Sequence, residues 1–428
     1  MDYRNTKPKL QSRIIKEEKE GKYLYLDPEK PDWVVTNKNG ATALSLCNGR
    51  LSIVQIAEKI SRAAQENLTD QVINYLGDIY ENKSILKPCI ASKTFHHSLR
   101  ILQISLTREC NLKCIYCYAA SRIQTRKQDY LTKEELKALI DEVNTVSKKV
   151  GVVLTGGEPL LSKHCLPLGK YAADSGNHPH LLTNALLITK ENAQHISETF
   201  SLVKISIDGC DSKHHDFHRG KGSLKKVLNA IELLDSFNAN ISLSMTVTQR
   251  NINHIDKMVS KFGKRLSFQP LFSAGRAKSE KLGITGSEYY KALSSVKGVS
   301  PLSRLASRLN NARQMGVYKC AIGDAEISIS ETGDVYPCQL LHVPEFLAGN
   351  IRNNSFQEIY TTSDILNRCR RLDINRIKGC KQCSVRLICG GACRARAFHE
   401  KGRIDVSGDF CEYEKQAIIE GIFNSYEI

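Results

Sequence analysis

The sequence predicts an α/β protein in which parallel strands alternate with amphipathic helices, flanked by a small N-terminal domain and a cysteine-dense C-terminal one. Two observations carry this. Between residues 96 and about 300, short apolar runs ("LQISLT", "GVVLTGG", "HLLTNA", "VKISIDG", "ISLSMTV", "LSFQPL") recur with helical patterns such as "TKEELKALIDEVNTVSKKV" between them, the signature of a parallel sheet, open or closing toward a barrel. From about 315 the texture changes to closely spaced cysteines and short elements. A chain of 428 residues also exceeds one ordinary core and suggests two or three domains.

The first ninety-five residues read in order. "KYLYLD" and "DWVVTN" alternate as strands. "GATALSLCNG" is a short apolar helix closed by Gly49, and Ser52 with Gln55 three residues on makes a capping box for "SIVQIAEKIS". Thr69 caps "DQVINYLGDIYENK", and "SILKP" closes the unit as a strand. Strands, three small helices and a wing form a winged-helix arrangement. Trp33, the only tryptophan, sits on a strand and reads as core.

Composition narrows the function. The longest apolar runs are strand-sized, far short of a membrane span, and the charged N-terminus offers no segment for a signal peptidase; the expected location is the cytoplasm. There, fifteen cysteines point to metal ligation rather than disulfides. A net charge of +16 suits acidic partners. Aromatics are 7% of the chain and interleave with no basic stripe, so nucleic acid is the weaker reading.

The chemistry begins at "CNLKCIYCY": Cys110, Cys114 and Cys117, spaced C-x3-C-x2-C after the first core strand. A structural four-iron cluster takes four cysteines, and structural zinc closes with four ligands, usually paired C-x2-C knuckles. Three thiolates leave one iron open to a chelating ligand, although zinc stays possible on spacing alone. This loop, with an aromatic before its last cysteine, resembles the radical S-adenosylmethionine superfamily. The resemblance implies a partial (β/α)6 TIM-type barrel over residues 96–305. It implies a [4Fe-4S] cluster on these cysteines whose open iron chelates S-adenosylmethionine. One electron then cleaves the sulfonium to methionine and a 5′-deoxyadenosyl radical that abstracts a substrate hydrogen.

Further positions match the same family. "TGGEP" is similar to its GGE motif, so Gly157 and Glu158 would receive the methionine amino group, with Gly156 letting the backbone approach the cofactor closely; taken alone, the glycine pair is a tight βα turn. "SIDG" would supply Ser206 and Asp208, with Ser206 on the methionine carboxylate, and "HDFHRG" would supply Arg219 for the same carboxylate. Tyr116 would touch the adenine and Leu271 would pack on it.

C-terminally, Cys320, Gly333, Cys338, the run Cys380, Cys383, Cys389, Cys393 and then Cys411 resemble the SPASM extension, expected over residues 306–428. The resemblance implies two auxiliary iron–sulfur clusters, the outer on Cys380, Cys383, Cys389 and Cys411, the inner on Cys320, Cys338 and Cys393. The inner set is one ligand short, leaving an open iron or a place for Asp324 or Glu326. Cys47, Cys89, Cys165, Cys210 and Cys369 show no ligand spacing and read as buried small hydrophobes. Cys210 and Gln339 are candidates for lining the active site; the sequence names no catalytic residue.

The first domain, residues 1–95, is similar to the PqqD-like peptide-recognition elements, which bind a leader segment as an added strand. Its third helix is acidic and apolar, unlike a DNA recognition helix. The whole therefore reads as a peptide maturase (of the sactionine- or ranthipeptide-synthase kind) that cross-links a ribosomally made precursor, by a thioether first and a carbon–carbon bond second. Its expected partners are the precursor's leader and a flavodoxin or ferredoxin electron donor. The competing enzyme is a formylglycine-forming sulfatase maturase, disfavoured because its acidic residue after the inner-cluster cysteine is Gln339 here, and an amide takes no proton. A redox-sensing DNA-binding protein is the reading from another class.

Overall fold

The computed structural model describes residues 3–86, 98–121, 129–278, 282–297, 299, 308–310, 312 and 318–425. The expected domain boundaries near 95 and 305, Cys89, and the end of "SILKP" lie outside these residues.

The N-terminal unit opens with an antiparallel sheet, β1 (Ile15–Lys19), β2 (Lys22–Asp27) and β3 (Asp32–Thr36), in that order. Three helices follow: α1 (Lys38–Ser45), α2 (Ile53–Ala64) and α3 (Thr69–Asn82). The capping box at Ser52 and Gln55 forms as expected. Two expectations fail here. Thr69 does not cap α3: Leu68 precedes the helix with no side-chain bond, and the Thr69 hydroxyl lies 3.0 Å from the Ser61 hydroxyl. Ser84–Leu86 is a 3-10 turn rather than a strand. A buried polar knot holds it: Ser84 donates its N–H to Asp32 at 2.7 Å and its hydroxyl to Asp27 at 2.8 Å, while Arg13 forks onto Asp27.

One face of this sheet packs on its own helices through Tyr25 and Val34. The other face, with Leu24, Leu26, Trp33 and Val35, packs on C-terminal residues including Ile388, Ile418 and Ile422. Trp33 is thus core, as expected, although the core it joins lies between two parts of the chain.

All six expected core strands form: β4 (Ile101–Ser105), β5 (Gly151–Thr155), β6 (His178–Thr183), β7 (Leu202–Ser206), β8 (Ile241–Val247) and β9 (Leu266–Pro270), each parallel to the next. Between them run α4 (Lys133–Val146), α5 (Cys165–Asp174), α6 (Lys190–Thr199), α7 (Ser212–Arg219), α8 (Ser223–Ser236) and α9 (Ile255–Phe262), with α10 (Gly286–Ser294) after β9. Alternate strand residues such as Leu102, Ile104, Val203, Ile205, Leu243 and Met245 enter one large core. Their neighbours Gln103, Ser105, Lys204, Ser206, Ser244 and Thr246 project to the opposite, polar face.

The sheet extends beyond the expected strands. β10 (Glu326–Ile329) lies parallel to β4 on its far side, and β11 (Asp334–Tyr336) and β12 (Gly349–Asn350) continue antiparallel, giving the order β12-β11-β10-β4-β5-β6-β7-β8-β9. The C-terminal cysteine region is therefore bonded edge-on to the core. It ends in α11 (Phe356–Thr362), α12 (Asp364–Arg370), α13 (Arg386–Cys389), α14 (Arg394–Lys401) and α15 (Cys411–Asn424). Among the described residues, no helix is long and apolar enough to cross a membrane.

Candidate active site

The functional side chains gather at the C-terminal ends of the parallel strands. Cys110, Cys114 and Cys117 sit on the loop after β4. The glycine pair after β5 is shaped by this loop: the Gly157 N–H donates to the Thr107 carbonyl at 2.7 Å and the Glu158 N–H to the Glu109 carbonyl at 2.8 Å. A Cβ at Gly157 would stand 2.0 Å from the Glu109 carbonyl oxygen, and one at Gly156, whose φ is +132°, 2.4 Å from that of Thr107. The close approach that requires glycine is thus made by the cysteine loop's own backbone.

Arg276 and His218, which sequence reasoning missed, hold this loop together with Asn184, which the sequence places at a strand's C-terminal end without a role. Arg276 donates through Nε to the Cys114 carbonyl and through Nη1 to the Ser121 carbonyl, both at 2.7 Å. Asn184, just past β6, donates to Asn111 at 2.8 Å and lies 3.8 Å from the Cys110 sulfur. The His218 carbonyl accepts the Ile115 N–H at 3.0 Å. No local spacing signals them, because each contact joins segments far apart in the chain.

Glu158 is fully buried. It accepts from the Thr183 hydroxyl at 2.7 Å, the Asn184 N–H at 2.8 Å and the Leu160 N–H at 3.2 Å. Burial outweighs these donors and pushes its pKa up to about 7. Asp208, after β7, accepts from Arg219 Nε at 2.5 Å, from the Thr246 N–H at 2.9 Å and from the Tyr116 hydroxyl. Burial alone would raise the Asp208 carboxyl; the adjacent Arg219 charge holds it below the usual range. The Arg219 guanidinium lies 5.6 Å from the centre of the Tyr116 ring, and Tyr116 shares a small apolar cluster with Leu271. Ser206 ends β7, paired with Ser244. The structure thus brings Gly156, Gly157, Glu158, Asp208, Arg219, Tyr116 and Leu271 to the region of the cysteine loop, with Ser206 at the end of β7.

The cysteines fall into the three groups expected. Burial raises the Cys110 thiol to about 11, with the charges of Cys114 and Cys117 adding to it. Cys393 rises to about 12 through burial and then Cys320, and Cys338 feels both of those. Cys380 rises to about 11 through burial, Cys411 and Cys383, and Cys389 feels the same two. Thiols this reluctant to ionise become ligands only when a metal displaces their protons. Grouped cysteine thiolates are the soft donors that iron–sulfur clusters take. Arg394, fully buried, donates to the Ile404 and Val406 carbonyls at 2.9 and 2.8 Å. Its charge favours ionisation of Cys320 in one group and of Cys380 and Cys411 in the other.

A cleft of about 780 Å³, measured with the solvent at its mouth, opens between the core and the C-terminal region. The core lines it with Ser105, Arg108, Tyr118, Gly156 and Gly157, and the C-terminal region with Glu331, Gln339, His342 and His399. Arg108 pairs with Glu331 at 2.9 Å. His342 stacks on Tyr336 with ring centres 4.3 Å apart, and its Nε2 lies 2.8 Å from the Ser328 hydroxyl; burial lowers its pKa to about 4, so it is neutral at pH 7. Gln339 lines the cleft, and its Oε1 is buried with no hydrogen-bond partner. Cys210 does not line it; its side chain packs against the large core.

Comparison with known proteins agrees with this geometry. The radical SAM superfamily model matches residues 104–262, and the SPASM model, an iron–sulfur cluster-binding domain, matches residues 320–384. The AdoMet-dependent heme synthase of Methanosarcina barkeri is 28% identical over 349 residues, covering 74% of this chain and 96% of that one. The mycofactocin maturase MftC of Mycolicibacterium smegmatis is 26% identical over 322 residues, covering 68% and 77%. Among solved structures, anSMEcpe with bound AdoMet superposes with a TM-score of 0.63 at 20% identity, covering 76% of this chain and 97% of that one. Streptococcus suis SuiB bound to S-adenosylmethionine superposes with a TM-score of 0.60 at 14% identity, covering 94% and 100%. The chain is an enzyme that joins a radical SAM domain, which binds a [4Fe-4S] cluster and S-adenosylmethionine, to a SPASM domain that binds auxiliary iron–sulfur clusters.

Proposed function

We propose that this enzyme matures a ribosomally made peptide, seating the precursor's leader on residues 1–95 and cross-linking its core segment, by a thioether first and a carbon–carbon bond second. One observation carries the reading. The likeness to SuiB, solved also with its precursor peptide SuiA, spans 94–95% of this chain, a share that must take in most of the N-terminal unit. The shape of that unit supports it: a three-stranded antiparallel sheet ending in β3 and packed with three helices is the kind of scaffold on which a peptide can add as a strand. Tyr75 of α3 stands beside the Thr36 end of β3. Leader binding there would raise the concentration of the core segment at the cleft.

In this reading residues 96–305 are the catalytic core and residues 306–428 carry the auxiliary clusters. Cys110, Cys114 and Cys117 hold the first cluster. Gly156, Gly157, Glu158, Ser206, Asp208 and Arg219, with Tyr116 and Leu271, surround S-adenosylmethionine. Cys380, Cys383, Cys389 and Cys411 hold the outer auxiliary cluster, and Cys320, Cys338 and Cys393 the inner one. Bound there, these groups supply one-electron chemistry that removes a hydrogen atom from an unactivated carbon. The residues of the cleft position the peptide and take its proton. Closing a thioether removes a hydrogen atom from carbon, a proton from the cysteine thiol and one electron, which the auxiliary clusters would accept when bound. His342 lines the cleft as a neutral imidazole. Gln339 takes no proton, which sets the formylglycine reaction aside. The electron donor is a flavodoxin or ferredoxin drawn to the basic surface.

The test is anaerobic incubation with S-adenosylmethionine, a reductant and any short cysteine-bearing peptide found encoded beside the enzyme. Loss of two hydrogens per link, read by mass spectrometry, supports the reading; an unchanged peptide removes it. A tetrapyrrole substrate is the second reading, because the relative matched over 96% of its length is named an AdoMet-dependent heme synthase. Formation of heme in the same assay would replace the first.

A further inference from the structure

Away from the cysteine groups, two imidazoles and a carboxylate meet at the edge of the barrel mouth. Asp211, His214 and His254 each offer one ligand atom, and these atoms all lie within 4.8 Å of one another. The three come from two segments. Asp211 precedes α7 and caps it, accepting the His214 N–H at 3.0 Å. His254 ends the 3-10 turn Ile252–His254 that follows β8. Helix capping therefore accounts for Asp211 and for His214 one turn on, but not for His254, whose side chain makes no cap bond.

The geometry suits one shared ion. The Asp211 carboxylate lies 2.6 Å from Nδ1 of His214 and 3.9 Å from Nδ1 of His254. Two donors on one tetrahedral ion stand roughly 3.3 Å apart, a value between those two distances. The imidazoles are already in contact, their centres 3.4 Å apart and their planes at 37°, so side-chain rotation alone brings both to one ion. A second observation is independent of the cap. Nδ1 of His254 is shielded from solvent and has no hydrogen-bond partner, a state that buried polar atoms rarely keep. The Asp211 side chain is 45% exposed, which leaves an ion a way in and room for water on it.

We propose that Asp211, His214 and His254 bind a divalent transition-metal ion, separate from the iron–sulfur clusters, with water completing its coordination. Two imidazoles and a carboxylate suit zinc and its first-row neighbours; magnesium and calcium take oxygen donors instead. The ion ties together two segments that hold Asp208. One is α7, which ends in Arg219, the ion-pair partner of Asp208. The other carries Asn251, just before His254, whose Nδ2 donates to the Asp208 carbonyl at 3.1 Å. The site stands on these residues alone and does not depend on the substrate being a peptide.

The test uses the tag-free full-length enzyme with its clusters reconstituted, so that the cysteines are occupied, exposed to zinc under nitrogen and then desalted. About one zinc per chain should stay bound. Its X-ray absorption should show imidazole and oxygen donors at about 2.0–2.1 Å and no sulfur at about 2.3 Å. H254Q and D211N should each weaken zinc binding by about tenfold or more while leaving the iron content unchanged. D211N separates the ligand from the cap, because asparagine caps a helix as well as aspartate does. Protein that leaves desalting without zinc, sulfur in the zinc shell, or unchanged zinc affinity in either variant would overturn the inference. If one variant does not fold, the other and the absorption spectrum decide it.

Discussion

Arg276 Nε lies 2.7 Å from the carbonyl oxygen of Cys114, joining the loop after β9 to the cysteine loop after β4. The same side chain reaches the Ser121 carbonyl at 2.7 Å, and the Gly275 backbone before it comes so close that a Cβ there would stand 2.3 Å from the Tyr118 oxygen. Charged hydrogen bonds of this kind contribute roughly 1.5–3 kcal/mol each, enough to fix the spacing of the three sulfurs. R276A is expected to lower S-adenosylmethionine affinity about tenfold or more, and R276K to recover only part of it, because an ammonium cannot reproduce the fork. Equilibrium binding to anaerobically reconstituted protein checks this; affinity unchanged in R276A would show that the loop holds itself.

The glycine pair gives a sharper contrast. At Gly157 an added Cβ meets the Glu109 carbonyl oxygen at 2.0 Å, whereas at Gly176, where φ is +81°, it meets nothing within 4 Å. G176A therefore carries backbone strain alone, about 1–2 kcal/mol. G157A must push the cysteine loop away and is expected to cost about 3 kcal/mol, with loss of the iron bound by Cys110, Cys114 and Cys117. Urea unfolding and iron content of the two variants check the difference.

These contacts mark where the sequence stops being readable. The six parallel strands are legible because each is a compact run of β-branched and apolar residues, and the cysteine groups because their spacing is fixed. β10 to β12 are not, since two to four residues such as "DVY" show no periodicity and form only as β10 pairs onto β4 and β11 and β12 onto their neighbours. Thr69 and Ser84 mislead for a related reason: their hydroxyls are taken by Ser61 and Asp27, distant partners that local patterns do not reveal. His218 and Arg276, and the role of Asn184, stay hidden because a backbone carbonyl in α7 and polar side chains after β6 and β9 become supports only once the fold brings the cysteine loop to them.

Acid should destabilise the enzyme before its carboxylates titrate. Burial lowers both His215 and His342 from 6.5 to about 4. Between those values the unfolded chain binds protons that the folded chain refuses, so stability falls as pH drops through the window, by about 1.4 kcal/mol per pH unit for each histidine. Glu158 opposes this: raised from 4.5 to about 7, it is protonated when folded, and its contribution is lost as pH rises across that range. H342N is expected to make the pH 4–6.5 dependence shallower by about 1.4 kcal/mol per unit. Denaturant unfolding at several pH values under nitrogen measures the slope; an unaltered slope would mean that His342 is not held neutral.

Trp33 links the N-terminal sheet to the C-terminal region, in one apolar cluster with Ile418 and Ile422 of α15, and Lys19 meets Glu420 of the same helix at 3.2 Å. The surface ion pair contributes little, so the apolar contact sets how firmly the N-terminal unit, the leader-binding one in the proposed reading, stays docked on the C-terminal region. Truncating a buried tryptophan costs about 3–5 kcal/mol, so W33A should loosen the docking. The expected outcome is specific to the leader. A peptide carrying its leader should lose much of its kcat/KM advantage over the leaderless core, because its effective concentration at the cleft falls. The leaderless core itself should react at the unsubstituted rate. Steady-state kinetics with both peptides separates this from a general defect: an equal fall for the two would mean that Trp33 supports the catalytic core, and that docking of the N-terminal sheet does not deliver the substrate.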